Sequence, residues 1–493
     1  MDVNFPEGYK ELFVASFGET AWEAYRCAMA QPFARGLRVN PLRVASSRPL
    51  PLEAPIPWAA NGYYLSLQSG IGNDPLHAAG CIYLQEPTAM APVAILNPKQ
   101  GENILDLCAA PGGKSTQIGA LMKQEGFLLV NDPHPARAEA LAENVERLGL
   151  THTAIANVAP AQLTRAYETY FDGILVDAPC SGEGLFRREP DASLHWSVDQ
   201  LLPNAARQLE ILEAAYQMLE PGGRIVYSTC TFNPIENEFV CAKFAMNHPD
   251  MQLVPTALPD SDAALSPLQL RQAGTGHPLI QRMLDTLDPA WIELPTQYAT
   301  RYFPQHCHGE GHFIARFEKQ VASSPSHRTP APSHGLNVAV TKRLQKEFDT
   351  LASSMLSAEF LHTLLHTRTL QARGDTLYAL AEGAQRIHTL LRPGLALMRL
   401  AYGHAVPHHS LALAMRAQDA QRELRLPYGD QRILDYLQGQ TITCGNDNGW
   451  TLVTVEGAPL GWGKAVGGIL KNHYPKGLRR TYVFATDDAK INR

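Results

Sequence analysis

Cys180 lies in Asp177-Ala178-Pro179-Cys180-Ser181-Gly182-Glu183-Gly184 and Cys230 in Ser228-Thr229-Cys230-Thr231; each follows a short apolar run. Most intracellular cysteines are small core hydrophobes, but here the flanking residues are small or hydroxylic rather than packing side chains. Two thiols and a neighbouring carboxylate, Asp177, suit covalent chemistry on a pyrimidine ring. One thiolate adds to C6, the carboxyl group stabilises protonated N3, and C5 becomes nucleophilic enough to take a methyl group. A second constellation is Cys108-Ala109-Ala110-Pro111-Gly112-Gly113-Lys114-Ser115-Thr116. Its glycines let a ligand approach the backbone, and the helix that it opens offers unpaired N–H groups. Twenty residues after Gly112, Asp132 follows the next apolar run, spaced to accept both hydroxyls of a ribose. Together they favour an adenosine-type cofactor. A phosphate-binding P-loop is the rival from another class, since Gly113-Lys114-Ser115 matches its tail; its first glycine would have to stand at Cys108. A packing turn without a ligand is the plainer alternative.

These groups need strands that end together. Asn103–Cys108, Phe127–Val130, Gly173–Asp177 and Arg224–Ser228 are short apolar runs that read as buried strands. Between them, Leu141, Val145 and Leu148 recur at helical spacing up to Gly149, and Leu202 to Leu219 mark a long amphipathic helix with Pro203 in its first turn. Strands alternating with helices predict a parallel sheet covered on both faces, with ligands at the carboxyl ends of the strands. His306-Cys307-His308-Gly309-Glu310-Gly311-His312 fits no paired zinc-ligand pattern and reads as part of a final hairpin, so no metal is expected. Arg187-Arg188 reads equally as phosphate contacts or as solvated charges.

At 493 residues the chain has room for about three domains. Apolar residues at 45% and charged residues at 18% describe a chain that buries a core and exclude extensive disorder. A net charge of −6 excludes a uniformly basic nucleic-acid coat protein. Eight cysteines are too sparse for a disulfide scaffold, and neither a signal peptide nor a membrane span is visible, which leads to the expectation of a cytoplasmic enzyme. The divisions read as an N-terminal module (1–75), a catalytic domain (76–320), a Pro/Ser-rich linker (321–335), a middle segment (336–390) and a β-rich C-terminal module (391–493). Residues 461–493 hold seven Lys or Arg against Asp487 and Asp488, a net of +5, which suits RNA docking.

Asp106-Leu107-Cys108-Ala109-Ala110-Pro111-Gly112-Gly113-Lys114, Asp177 to Gly184, and Tyr227-Ser228-Thr229-Cys230-Thr231-Phe232 followed by Glu236-Asn237-Glu238 resemble the Sun-type RNA cytosine-C5 methyltransferases over roughly residues 20–320. Gly457–Lys464 and Leu470–Arg480 resemble the C-terminal extension of the RsmF-like ribosomal RNA methyltransferases within that family. The resemblance implies an α/β, Rossmann-like S-adenosylmethionine methyltransferase domain, a small N-terminal RNA-binding module containing Gly36-Leu37-Arg38-Val39-Asn40-Pro41, and a C-terminal PUA-like module. It also implies S-adenosylmethionine held by Cys108, Ala109, Ala110, Pro111, Gly112, Gly113 and Lys114, by Asp132 and Arg137, and by Asp177 nearby. The nucleophile falls on Cys230 and the product-releasing cysteine on Cys180. The implied substrate is 16S ribosomal RNA or the small ribosomal subunit, with transfer RNA as the rival; the protein is expected to act as a monomer away from membranes. The adenine-contacting aspartate of many members is missing, its place falling in Ile155-Ala156-Asn157-Val158.

Overall fold

The computed structural model describes residues 3–43, 50, 52–66, 70–321, 342–401 and 403–485. Helices Tyr9–Phe17 and Glu19–Met29 come first, followed by β1 (Gly36–Val39), β2 (Leu52–Pro55), β3 (Gly62–Leu65) and β4 (Ile82–Leu84), which form one sheet in the order β2-β3-β1-β4. The division expected at residue 75 therefore falls inside this unit, because β4 pairs with β1. Tyr9, Phe13, Trp22 and Tyr25 of the two helices pack with Phe186, Trp196, Phe232 and Phe303, so the N-terminal helices brace the loops that carry the candidate chemistry.

The apolar runs become a ten-stranded sheet: β5 (Asn103–Asp106), β6 (Phe127–Asn131), β7 (Thr153–Ala156), β8 (Phe171–Asp177), β9 (Leu219–Thr229), β10 (Met251–Val254), β11 (Asp262–Ala263), β12 (Thr300–Tyr302), β13 (His312–Lys319) and Leu390–Arg392. Strands β7-β6-β5-β8-β9 are parallel, and β13 closes antiparallel on β9. Ile104, Leu105, Leu128, Leu129, Ile174 and Leu175 are fully buried, each stabilising the fold by roughly 1.5–3 kcal/mol relative to exposure. The chain leaves β5 toward β6 and β7, then returns on the other side to β8 and β9. A ligand crevice opens at such a reversal, here beyond the carboxyl ends of β5 and β8.

Helix Pro135–Arg147 buries Ala138, Leu141, Ala142 and Val145 against the sheet and begins with Pro135 at its first position. It stops at Gly149, whose φ of 72° and bonds from Gly149 N to Glu146 O (3.0 Å) and Leu150 N to Val145 O (3.2 Å) close the last turn. Helix Val198–Met218 starts earlier than its apolar spacing suggests, placing Pro203 inside the helix rather than in its first turn.

The C-terminal part comprises helices Lys342–Met355 and Ala358–Thr367, a four-stranded sheet, and a five-stranded sheet containing Gly449–Val455, Ala458–Val466 and Ile469–Asn472. Leu390–Arg392 pairs with β7, so the division expected at 390/391 cuts a strand of the central sheet. From residue 322 the expected linker lies outside the described residues. The two ends of the chain share a core: Leu37, Leu65 and Ile82 pack with Leu426, Tyr436, Val453 and Leu470. Asp74 fastens this joint by accepting from Ala485 N at 2.9 Å and from the Tyr428 hydroxyl.

Candidate active site

Strands β8 and β9 end side by side, with Asp177 opposite Ser228. The loops beyond them bring Cys180 and Cys230 together, Sγ to Sγ 3.3 Å, as half-buried free thiols. Hydrogen bonding to Cys230, reinforced by burial, pushes the Cys180 thiol well above its ordinary range and keeps its proton on. Gly184 N donates to Cys230 O at 2.8 Å; a Cβ on Gly184 would come within 3.1 Å of that oxygen, so glycine permits the approach. Two buried carboxylates hold the loops. Glu183 accepts from Phe232 N at 2.7 Å, Asn233 N at 3.0 Å and Trp196 Nε1 at 3.0 Å. Glu236 accepts from Ser181 N at 3.0 Å and Gln208 Nε2 at 2.9 Å, and burial together with nearby Glu183 pushes it up to about 7.

Asp177 faces this pair. Its Oδ2 lies 2.7 Å from Lys114 Nζ, its Oδ1 accepts from Ser228 Oγ at 2.8 Å, and His312 Nε2 is 3.7 Å from Oδ1. Burial by itself would raise this carboxyl; Lys114 and His312 outweigh burial and hold it well below the usual carboxylate range. Asp177 is therefore ionised at neutral pH while 30% exposed, available to a base placed in the crevice.

On the other side of Lys114, the Cys108–Lys114 loop borders a cavity of about 160 Å³ lined also by Asp106, Asp177 and Arg188. The loop is held from outside. Ala110 O accepts from Arg137 Nη2 (3.0 Å), Pro111 O from Asn144 Nδ2 (2.9 Å) and Gly113 O from Arg38 Nη2 (2.7 Å). Gly112 has φ 108°, and a Cβ there would press on Leu141 and Asn144 at 3.2–3.3 Å. Asp106 is fully buried; Oδ2 accepts from Ser115 Oγ at 2.6 Å, while Oδ1 has no partner. Burial pushes this carboxyl up to about 7. An orphaned carboxylate oxygen beside a small cavity suits a cationic ligand, as the ammonium and sulfonium of S-adenosylmethionine would be. The residues present fit that cofactor.

The structure brings Cys180, Cys230, Asp177 and Lys114 into one cluster and the rest of the Cys108–Lys114 loop alongside it. Cys108 is half-buried, and desolvation raises its thiol, so it stays neutral in the cradle wall. Asp132 is 2% exposed, accepts from His134 N at 3.0 Å and pairs with Arg137 at 3.1 Å. These two form a unit at the end of β6, outside the lining of the small cavity. Asn157 donates to Asp132 O at 2.7 Å. The phosphate reading of Arg187 is corrected: its guanidinium is 8% exposed and locked on buried Glu310 at 2.6 Å, whereas Arg188 lines the small cavity. Arg38, in the segment resembling an RNA-contacting module, is likewise buried, donating to Gln85, Gly113 and Thr116. Cys27 is an exposed free thiol. Sequence reasoning missed Asp106, although a carboxylate closing the strand before a glycine loop was a usable signal. It also missed His312, hidden in a histidine-rich stretch that resembled metal spacing: His306 pairs with Asp262 at 2.7 Å and His308 lies against Tyr64.

Three family descriptions match successive parts of the chain: the N-terminal domain of 16S rRNA methyltransferase RsmF over residues 4–87, 16S rRNA methyltransferase RsmB/F over 93–318, and the methyltransferase RsmF PUA domain over 423–480. Ribosomal RNA small subunit methyltransferase F of Salmonella arizonae is 31% identical over 97% of both chains, and that of Citrobacter koseri is 29% identical with the same coverage. A crystal structure of a methyltransferase homolog protein from Pyrococcus horikoshii superposes with a TM-score of 0.51 at 29% identity, covering 63% of this chain and 93% of its own. NSun6 from the same organism, solved with SFG, shares the fold at a TM-score of 0.51 and 19% identity, covering 65% of this chain and 99% of its own.

Proposed function

The chain belongs to the RsmB/F family of 16S rRNA methyltransferases, and from that premise we propose that it forms 5-methylcytosine in 16S ribosomal RNA through a covalent Cys230–C6 adduct. It is an S-adenosylmethionine-dependent methyltransferase with a Rossmann-like core and a C-terminal PUA domain. When bound, S-adenosylmethionine supplies a methyl group on a sulfonium, electrophilic enough for a carbon nucleophile. Asp106 and the Cys108–Lys114 loop would hold its charged end and Asp132 its ribose, with Arg137 released from its present pairing.

The protein's own steps follow from its geometry. Cys230 attacks C6 as the thiolate, its proton passing to N3 through a water in the crevice, while Asp177, fixed by Lys114 and Ser228, accepts the hydrogen bond from the N3–H so formed. The electron pair of the C5–C6 double bond moves to C5, which takes the methyl group. The C5 proton must then leave before the C6–S bond can break, which requires a base within reach. Cys180, 3.3 Å from Cys230 and protonated at rest, is placed to relay that proton: its thiol releases its own proton to a water, the C5 proton takes its place directly or through that water, and Cys230 leaves C6 and recovers the N3 proton. The observation that carries this reading is the pairing of the two thiols at the ends of adjacent strands beside an ionised carboxylate. The nucleotide-hydrolysing alternative loses its essential lysine, since Lys114 is committed to Asp177.

A cleft of about 1030 Å³ between helix Glu19–Met29 with the loop after it and Pro304–Gly309 presents Phe33, Arg35 and His308, and we read it, with the basic C-terminal face, as the RNA's path of approach. Among the described residues no helix is long and apolar enough to cross a membrane. The enzyme is read as a cytoplasmic monomer acting on RNA of the small subunit. Bisulfite sequencing of 16S and transfer RNA from cells with and without the gene tests the assignment. Loss of 5-methylcytosine confined to 16S rRNA supports it; loss confined to transfer RNA transfers the same chemistry to the rival substrate.

A further inference from the structure

Cys180 Sγ and Cys230 Sγ stand 3.3 Å apart, and both thiols are free and half-buried. A bond between them needs a closing of only about 1.3 Å, to the roughly 2.05 Å of a disulfide. The strands that lead to them are neighbours, with Asp177 opposite Ser228. Neighbouring strands lie about 4.8 Å apart, inside the Cα separation of about 4.4–6.8 Å that a disulfide bridges. The place is open to a small reagent, since Asp177 beside the pair is 30% exposed. Cys27, exposed on helix Glu19–Met29, is a reference thiol in the same molecule.

We propose that the pair is a modification site: a hydroperoxide oxidises Cys180 and Cys230 to a disulfide, which switches methyl transfer off until a dithiol reduces it. The loss of activity rests on the reading of Cys230 as the nucleophile; the linkage does not. Cys180 keeps its proton, so Cys230 takes the first step. Its thiolate attacks one peroxide oxygen, the O–O bond breaks, and the departing oxygen takes up the thiol's proton to leave as water or an alcohol. The sulfenic acid left on Cys230 faces Cys180. The Cys180 sulfur attacks it, the S–O bond breaks, and the Cys180 proton leaves with the hydroxyl as water. The two thiols together lose two electrons, and the hydroperoxide gains them. The disulfide consumes the nucleophile and the proton relay at once. The Cys108–Lys114 loop keeps its own bonds to Arg38, Arg137 and Asn144, so cofactor binding survives oxidation. Closure also removes the sulfenic acid before it is oxidised irreversibly.

The test treats the full-length protein with hydrogen peroxide in steps, blocks the remaining thiols by alkylation, and digests without reduction for mass spectrometry. The peptides that hold Cys180 and Cys230 should appear linked. Methyl transfer to 16S rRNA should fall in proportion to the linked fraction, with S-adenosylhomocysteine binding retained, and dithiothreitol should restore both thiols and the activity. Cys180→Ser should stop at a sulfenic acid on Cys230, trapped by dimedone. Recovery of Cys180 and Cys230 unlinked while exposed Cys27 is oxidised would overturn the inference. So would a loss of activity through sulfinic acid on Cys230 that dithiothreitol does not reverse. Complete linkage with methyl transfer undiminished would overturn the reading of Cys230, and the switch with it.

Discussion

Lys114 Nζ lies 2.7 Å from Asp177 Oδ2 and is 11% exposed, so the lysine that ends the Cys108–Lys114 loop neutralises the carboxylate at the end of β8. One ion pair thereby joins the two halves of the site.

Replacing that cation has a pH signature. The Asp177 carboxyl sits below its ordinary value, so its contribution to stability is present in full above about pH 4 and is lost as pH falls further. Lys114→Met should destabilise the protein by about 1–3 kcal/mol at pH 7, less than for a fully buried pair because Asp177 is part-exposed. Urea unfolding should show the difference shrinking below about pH 4. A difference that stays constant across that range would mean that Lys114 acts by packing alone.

Asp106 titrates in the opposite sense. Its folded value of about 7 lies above the ordinary carboxyl value, so stability is fully present below about pH 4 and declines as pH rises toward 7. Asp106→Asn should remove that decline. A cationic cofactor favours the ionised carboxylate, so S-adenosylmethionine binding should release a proton near pH 6.5 and tighten as pH rises through about 7. Calorimetry in buffers of different ionisation enthalpy measures the proton count; an equal count for Asp106→Asn and the unaltered protein would remove Asp106 from the cofactor site.

Asp132 is spaced for a ribose and is paired with Arg137 at 3.1 Å. Asp132→Ala should weaken S-adenosylmethionine binding by about 1.5–3 kcal/mol, because charged hydrogen bonds to the ribose disappear. Unchanged affinity by titration calorimetry would confine Asp132 to holding Arg137 and the turn at His134.

The features the sequence reveals are those built from neighbours along the chain. The β5 strand, the glycine loop and the following helix are one continuous stretch, so the cradle and its spacing to Asp132 can be read directly. Cys180 and Cys230 declare themselves because alternating strands and helices imply where strand ends meet. Contacts set by distant pairing are another matter. His312 reaches Asp177 only because β13 inserts beside β9, and no local pattern specifies that register. Arg187 reads as a surface charge until Glu310, over a hundred residues away, is seen to bury it. The shared core of Leu37 and Ile82 with Leu426 and Tyr436 is equally nonlocal, so the end modules look separate in sequence.

That shared core makes deletion of the C-terminal module a poor test of docking, since it would expose apolar surface. Lys464, Lys471 and Lys476 are exposed on the basic face. Replacing all three with Gln should weaken RNA binding and lower the steepness of its salt dependence by about 0.7 for each phosphate no longer neutralised. Filter binding between low and moderate salt measures the slope; an unchanged slope would place the docking surface elsewhere.

The central claim is the division of labour between the two thiols. It is tested most directly by denaturing gel analysis of Cys230→Ala and Cys180→Ala incubated with 16S rRNA and methyl-labelled S-adenosylmethionine. Cys230→Ala should bind RNA but form no adduct and transfer no label. Cys180→Ala should attack and methylate once, then accumulate a denaturation-resistant protein–RNA complex carrying the label. An adduct with Cys230→Ala and none with Cys180→Ala would contradict the account by exchanging the two roles.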